Sequence, residues 1–420
     1  MKISLCRRQI AVCLGSLVLS LPGVAAELLP TVSGLANALE QAWRLHPQAA
    51  ALDARDAEAN AAREVAARLT PEPGSVSIGS LSDRLNRNLG RQEWEVELAT
   101  PLWLPGQKAA RVAEAASRID EAVAKRAALR LELAGEVREA WWALAIARNA
   151  KSLVVQRRDT ARALSTNVRR LFEAGEVSRI DANLAQNEVH VAEAELIETN
   201  VSLLQAEQAL RTLTGVPAPA DLVAETAVEK SAMQPLAGGA TISPESHPQL
   251  VVAAATSRSA RAKVKVAVES RRAAPELALR VMRERGDFAE PYANSVGITL
   301  KVPFSSAAQV RRETSSAQAE ANQADAELVR TQTRVQLDVV RAERALQATE
   351  RQLVMAAERH ALSAENLLLT ERAFSLGESD LATLLRVRAA AYDAEAFFSR
   401  QRVARAAAQS QLNQSLGVLP

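Results

Sequence analysis

Polar and apolar positions change period twice in each half of the chain. From Gln107 to Phe172 the residues are mainly Ala, Leu, Arg, Glu and Val, with no proline and, beyond Gly106, only Gly135 as glycine. These are mostly good helix formers, so the stretch predicts one helix over about 106–173. At 1.5 Å per residue it would run about 100 Å. Ser306 to Phe374 repeats the pattern with neither proline nor glycine, predicting a second long helix over about 306–374. Helices of this length do not fit a compact domain; they belong to a rod, a coiled coil or a tube wall. Shorter helices are expected over Leu35–Leu69 and 178–214, and again over Pro248–Arg272 and 380–416. Two short helices stacked end to end could lie beside each long one.

Between the first short helix and the long one the period drops to two. Val76 and Ile78 alternate with Ser75, Ser77 and Gly79, and Trp94, Val96 and Leu98 alternate with Glu93, Glu95 and Glu97. In the second half Leu277, Leu279 and Val281 alternate with Glu276, Ala278 and Arg280. Val296, Ile298, Leu300 and Val302 alternate with Ser295, Gly297, Thr299 and Lys301. Such alternation predicts strands with one apolar and one polar face, over about 74–81, 92–102, 275–283 and 295–303. Polar segments Ser82–Arg91 and Arg283–Asn294 suit exposed hairpin loops.

The two halves are copies. Phe172-Glu173-Ala174-Gly175-Glu176 returns 202 residues later as Phe374-Ser375-Leu376-Gly377-Glu378, and Gly215-Val216 returns at the same spacing as Gly417-Val418. His46-Pro47-Gln48 returns 201 residues later as His247-Pro248-Gln249. Trp94, Val96 and Leu98 stand 202 before Val296, Ile298 and Leu300, so the apolar strand face is kept where a one-residue slip would invert it. The spacing is too long for a solenoid repeat and marks a duplicated domain-sized element. The first repeat is taken as 27–216 and the second as 246–420. A Pro- and Gly-rich connector over 217–245 separates them.

Residues 1–26 read as a signal peptide: Lys2, Arg7 and Arg8 precede an apolar run from Ile10 to Leu21, and Val24-Ala25-Ala26 offers small residues for cleavage. Both cysteines, Cys6 and Cys13, lie in this segment, so a mature chain would carry no disulfide or thiolate metal site. A lipoprotein would need Cys13 acylated, and Val12 before it fits that poorly. Formal net charge is +2, with both signs interleaved, and no basic stripe points to nucleic acid. Hydrophobic residues make up 48% and aromatics only 3%; this alanine-rich composition suits long packed helices better than a large globular core.

Each half therefore reads helix, strand, strand, long helix, tight turn, helix. Four strands cannot close a barrel, and an open sheet leaves edges. One apolar and one polar strand face in an exported chain suggests an outer-membrane barrel closed by several copies. Three copies supply twelve strands in a ring.

The residues at the corners carry a family likeness. Besides the His-Pro-Gln starts and the Phe-x-x-Gly-Glu turns, there is Thr100-Pro101-Leu102-Trp103-Leu104-Pro105-Gly106-Gln107 at the strand-to-helix corner, with Val302-Pro303-Phe304 at its repeat. The chain resembles the TolC-like outer-membrane efflux proteins, especially the channel components of heavy-metal (cobalt-zinc-cadmium type) tripartite RND efflux systems. The resemblance spans the whole mature chain. It implies a mainly α fold with a membrane β-barrel part: a homotrimer with a long helical tunnel in the periplasm and a trimeric 12-stranded barrel in outer-membrane lipid. It implies export without covalent chemistry. Partners would be a periplasmic adaptor (membrane fusion) protein and an inner-membrane RND-type pump, with no nucleic acid and no cofactor. A multidrug or other small-molecule channel of the same fold is an alternative cargo reading. A secreted periplasmic coiled-coil adaptor or scaffold is the alternative from another class.

The resemblance also implies site residues. The hairpin tips, where adaptor docking and the periplasmic gate are expected, hold Phe172, Gly175, Glu176, Arg179 and Asp181, and in the second copy Phe374, Gly377, Glu378, Asp380, Thr383 and Arg386. Asp181 matches a gate aspartate; Thr383 and Arg386 depart from the family's acidic pattern. A closed gate held by pairs of Asp181 with Arg179 or Arg386 is one expectation. In the barrel, Trp94, Val96, Leu98, Val296, Ile298 and Leu300 would face lipid. Glu93, Glu95 and Glu97 are candidate lumen residues. The His-Pro pairs at His46 and His247 fit helix starts, where proline's missing N–H costs nothing, better than metal ligands. His190 and His360 read as surface or packing residues. Of the Trp141-Trp142 pair one is expected to pack between helices and the other to face an assembly partner or the lumen, with packing the favoured role for each. No hydrolase, phosphate-loop or zinc-protease motif is found.

Overall fold

A computed structural model describes residues 34–222, 247–304 and 306–420. The proposed signal peptide, its two cysteines and most of the connector lie outside the described residues. The first repeat comprises α1 (Gly34–Leu45), α2 (Pro47–Ala67), β1 (Ser75–Ser82), β2 (Gln92–Pro101), α3 (Gln107–Glu173) and α4 (Arg179–Thr214). The second comprises α5 (Pro248–Glu269), β3 (Glu276–Arg285), β4 (Ala293–Lys301), α6 (Ala307–Ser375) and α7 (Leu381–Ser415). The long helices, of 67 and 69 residues, fall where the breaker-free stretches predict them.

One expected helix is two. The stretch Leu35–Leu69 breaks at His46, whose backbone is extended (φ −70°, ψ 122°). A residue before proline is pushed out of the helical region, so Pro47 ends α1 and opens α2. Pro248 opens α5 in the same way, behind an extended His247.

The four strands form one antiparallel sheet in the order β1-β2-β3-β4. Val96 lies between Ile78 and Val281, and Leu98 between Val76 and Leu279; Val281 and Leu279 in turn face Val296 and Ile298. The hairpins of the two repeats thus join through β2 and β3, while β1 and β4 are left as open edges.

Among the helices, α3 packs along α2 and α4, α5 lies between α3 and α6, and α7 runs along α6 while also touching α3. Leu133, Val137, Trp141 and Leu144 follow a helical stripe on α3 and meet Leu35 and Leu39 of α1 and Leu210 of α4 in the main core. Trp141 is fully buried and lies over Gly34, where a Cβ would stand 2.9 Å from the ring. Trp142 is partly buried against the same cluster, so both members of the doublet pack. Each large side chain in this stripe contributes about 1.5–3 kcal/mol by leaving water.

The repeated motifs that are far apart in sequence meet in space. Gly417 follows the end of α7 with φ +78°, and a Cβ there would stand 2.8 Å from His247 Cδ2 and Pro248 Cδ. Gly215 follows α4 with φ +73°, against Leu45 next to His46. In both repeats the last helix therefore ends at the His-Pro-Gln helix start, at the junction of α1 with α2 in the first repeat and at the head of α5 in the second. His247 is buried; its Nδ1 accepts from Gln249 N (3.2 Å). Burial lowers its pKa, partly offset by a hydrogen bond to the Ser415 backbone. The buried Arg138 donates to Gln414 and to the Val418 carbonyl (3.0 Å), tying α3 to the end of α7.

Candidate functional site

Two regions of the molecule carry the candidate residues: the sheet, and the helix hairpins at the opposite ends of the long helices. On the sheet, the period of two puts Trp94, Val96, Leu98, Val296, Ile298 and Leu300 on one face. All six are exposed, Ile298 by 76%. A contiguous exposed apolar face of this kind marks a contact surface for protein, membrane or ligand.

The opposite face carries Glu93, Glu95 and Glu97. Arg280, facing Glu97 across the β2–β3 ladder, reaches Glu95 at 2.8 Å and Glu97 at 3.3 Å. Two of the three carboxylates are thus partly neutralised by the neighbouring repeat. Glu93 instead faces Glu284 and has only a long 4.0 Å approach from Arg91. Acidic character on this face is therefore concentrated towards the hairpin-loop end.

At the corner between sheet and helix, Gly106 takes φ +81°. Gln107 Oε1 accepts from Leu104 N (3.2 Å), and its amide donates to Ser270 Oγ (3.1 Å). Trp103 Nε1 donates to the Arg68 carbonyl (3.1 Å). Gln107 and the corner aromatic thus lock where strand turns into helix.

The two hairpin tips share one backbone design. After α3, Gly175 N donates to Phe172 O (2.9 Å) and Glu176 N to Leu171 O (2.9 Å). After α6, Gly377 N donates to Phe374 O (3.0 Å) and Glu378 N to Ala373 O (2.9 Å). This paired closure requires a left-handed residue, and both glycines have φ +77°. Phe-x-x-Gly-Glu is therefore a helix stop, with both glycines facing open space.

The next helix starts differently in each repeat. Ser178 caps α4: its Oγ accepts from Asp181 N (3.2 Å), while the Asp181 carboxylate accepts from Ser178 N (3.0 Å) and Ser178 Oγ (2.7 Å). In the second repeat Asp380 is the cap and accepts from Thr383 N (2.8 Å). Hydrogen bonds from Thr383, with Arg386 nearby, hold the Asp380 carboxyl below the usual range. Among the described residues Asp181 makes no ion pair with Arg179 or Arg386; its carboxylate is engaged by Ser178.

Just inside the tips the repeats lock together. Leu164, Val168 and Ala185 of the first pack with Leu381 and Leu384 of the second, and Phe374 lies against them while Phe172 stays exposed. Further up, Arg157 reaches Glu188 at 2.8 Å and Glu195 at 2.7 Å, and its guanidinium stacks 4.6 Å from the Tyr392 ring centre. Tyr392 donates its hydroxyl to Glu195 (2.9 Å). Burial and the Glu195 charge push the Tyr392 pKa up to about 12. Sequence reasoning missed this network. Its only signal is Glu188 and Glu195 seven apart on one helix face; their partners come from two other helices. His360 stacks on Phe398 at 5.3 Å, and the exposed His190 meets Gln186 and Glu193 on its own helix. Among the described residues no group of three or more His, Cys, Asp or Glu could hold a metal. No described helix is long and apolar enough to cross a membrane.

A family model described as "Outer membrane efflux protein" matches residues 34–216 and 243–418. The chain is 26% identical over 238 residues to the cobalt-zinc-cadmium resistance protein CzcC of Cupriavidus metallidurans, a match covering 57% of this chain and 55% of that protein. The match thus spans about half the length of that relative. Among solved structures, the outer membrane protein VceC of Vibrio cholerae matches with a TM-score of 0.73 at 15% identity, over 91% of this chain and 96% of that one. CusC, solved in a study of folding and transmembrane channel formation, matches with a TM-score of 0.72 at 14% identity, over 93% and 96%. The open-state MtrE outer membrane channel of Neisseria gonorrhoeae gives 0.71 at 17%, over 91% and 89%. At these identities the likeness shows the fold, which is TolC-like.

Proposed function

Because the chain belongs to the outer membrane efflux protein family, located in the cell outer membrane with its helical part in the periplasm, we propose that it is the exit duct of a tripartite efflux pump. The observation that carries this reading is one four-stranded sheet with a bare apolar face and two open edges, continuous with paired helices about 100 Å long. Open edges and an apolar face call for further copies and for lipid. Three chains make a 12-stranded barrel. Exposed apolar residues on the flanking helices support the same assembly, among them Ile197 and Val201 on α4 and Val354 and Leu362 on α6. A periplasmic adaptor docks at the tips around Gly175 and Gly377, and an inner-membrane RND-type pump supplies the cargo.

Heavy-metal cations are the proposed cargo, supported by the likeness to a cobalt-zinc-cadmium resistance protein. Glu93 and its neighbours on the inner face would lower the barrier to cations by their negative potential. Drugs or other small molecules remain the alternative cargo, since pump and adaptor select what enters. A secreted coiled-coil adaptor has no use for an exposed four-stranded sheet.

Deletion of the gene should lower tolerance to zinc, cobalt or cadmium, and the intact gene should restore it. Unchanged metal tolerance with loss of drug tolerance would replace the cargo reading. A soluble, monomeric mature chain on membrane fractionation and heat-sensitive gel mobility would sink the channel reading.

A further inference from the structure

The lipid-facing side of the sheet changes character at its loop end. Along β3, Leu277, Leu279 and Val281 are followed on the same face by Arg283 and Arg285. Arg283 lies beside Trp94 in the ladder, and Arg285 beside Gln92. Both guanidiniums stack on one ring, Arg283 at 4.6 Å and Arg285 at 4.8 Å from the centre of Tyr292. Arg285 also covers Phe288 at 5.3 Å and donates to the Gly90 carbonyl (3.0 Å). The Tyr292 hydroxyl donates to Gln92. Phe288 N donates to Leu89 O (3.2 Å), so the loops of the two hairpins brace this platform from both repeats.

The nearby carboxylates point elsewhere. Asp83 accepts from Leu89 N (2.7 Å), Asp287 from Ala289 N (2.7 Å) and Glu290 from Gly286 N (2.9 Å). Glu284 alternates onto the opposite face, against Glu93. No ion pair joins Arg283 or Arg285 to a carboxylate among the described residues. Arg283 is exposed and Arg285 half-buried; Arg84 and Arg87 on the neighbouring loop are exposed. Two oriented guanidiniums without carboxylate partners thus border an apolar face, at the end of the sheet away from the helices. Guanidinium is the side chain best matched to phosphate, through paired charge-assisted hydrogen bonds. Aromatic rings in the same position suit the boundary between acyl chains and headgroups.

We propose that Arg283 and Arg285, held on Tyr292, bind the phosphate groups of anionic glycolipid in the outer leaflet and set the height of the sheet in the membrane. The inference rests on the barrel reading above, and the choice of occupant follows from charge complementarity and from continuity with the lipid-facing side.

The test uses the full chain in phosphatidylcholine nanodiscs, supplied with diphosphorylated lipid A or with the same lipid stripped of its phosphates. Lipid retention is read by native mass spectrometry. The unaltered protein should hold the phosphorylated form at least about tenfold better. Arg283→Gln with Arg285→Gln should bring that ratio close to one, while Arg280→Gln on the opposite face should leave it unchanged. Equal retention of the two lipids by the unaltered protein would overturn the inference, as would a ratio indifferent to the double substitution or equally sensitive to Arg280→Gln. Should the double variant fail to assemble, the lipid comparison on the unaltered protein and Tyr292→Leu, expected to lower the ratio about threefold, decide it. Planar-bilayer conductance of the same preparation separates the two readings. A conducting protein with no lipid preference overturns this inference alone; a protein that neither inserts nor conducts overturns both.

Discussion

At the first hairpin tip the carboxylate of Asp181 closes back on Ser178; at the second, the carboxylate stands at Asp380 and Thr383 is the donor. Positions 178 and 380 are 202 residues apart, and so are 181 and 383. Compared one position at a time, Asp181 against Thr383 looks like the loss of an acidic residue. As pairs, Ser-x-x-Asp and Asp-x-x-Thr exchange the acid between the two ends of one capping motif. Each tip keeps a carboxylate at the positive end of its helix. The repeats differ more in what lies behind the tips: the Arg157 network draws on α3, α4 and α7, whereas Arg388 and Glu371 (2.7 Å) belong to the second repeat alone.

The sharpest way to break the symmetry is at the glycines. Gly417→Ala adds a Cβ against His247 and Pro248 to the left-handed backbone penalty, and should cost about 3 kcal/mol in thermal unfolding. Gly175→Ala meets no neighbour and should cost only about 1 kcal/mol. Equal losses would mean that the junction of α7 with α5 carries no load.

Removing Arg157 leaves Glu188 and Glu195 half-buried beside Tyr392 without their cation. With screening by the exposed flank, Arg157→Ala should cost about 1–2 kcal/mol, more than Arg388→Ala in the same denaturation series. Tyr392→Phe, losing one hydrogen bond, should cost about 1 kcal/mol. A larger loss for Arg388→Ala than for Arg157→Ala would refute the view that the first long helix ties the repeats together.

At the tips, Asp181→Ala removes the carboxylate arm of the capping box while Ser178 Oγ keeps its bond from the backbone of residue 181. It should lower stability by about 0.5 kcal/mol and raise channel conductance in planar bilayers. Asp181→Asn keeps an acceptor for Ser178 but removes the charge. Higher conductance in both variants would assign gating to the charge, in the alanine variant alone to the cap, and in neither would remove Asp181 from the gate.

The smallest effect concerns pH. His247 is buried and its pKa is lowered, so below its ordinary value the unfolded chain binds more protons than the folded one. Its contribution is fully present above the unfolded value of about 6.5 and declines as pH falls below it. A stability profile from pH 7.5 to 5 should fall less steeply in His247→Gln; parallel profiles would exclude the residue.

Much of the fold was legible because it rests on local rules. Breaker-free stretches set the two long helices, period-two runs set the strands and their faces, and the glycines marked the turns. The break at His46 was readable too, since the His46-Pro47 pair reads as a helix start and a residue before proline avoids the helical region. Arg280 between Glu95 and Glu97 was not readable. That contact depends on β2 pairing with β3 across 183 residues, and no local pattern states which hairpins join.

By itself, then, the sequence determined the duplication, the extent of the two long helices, the strand faces and the left-handed turn positions, all set by backbone sterics and periodicity within a few residues. Only the tertiary structure decided that the His-Pro-Gln starts meet the Gly-Val ends and that Asp181 closes the capping box of Ser178 while Asp380 is itself the cap. It alone united Arg157, Glu195 and Tyr392 from three helices. Those outcomes depend on which side chains converge after packing, and packing brings together residues whose spacing along the chain carries no record of their contact.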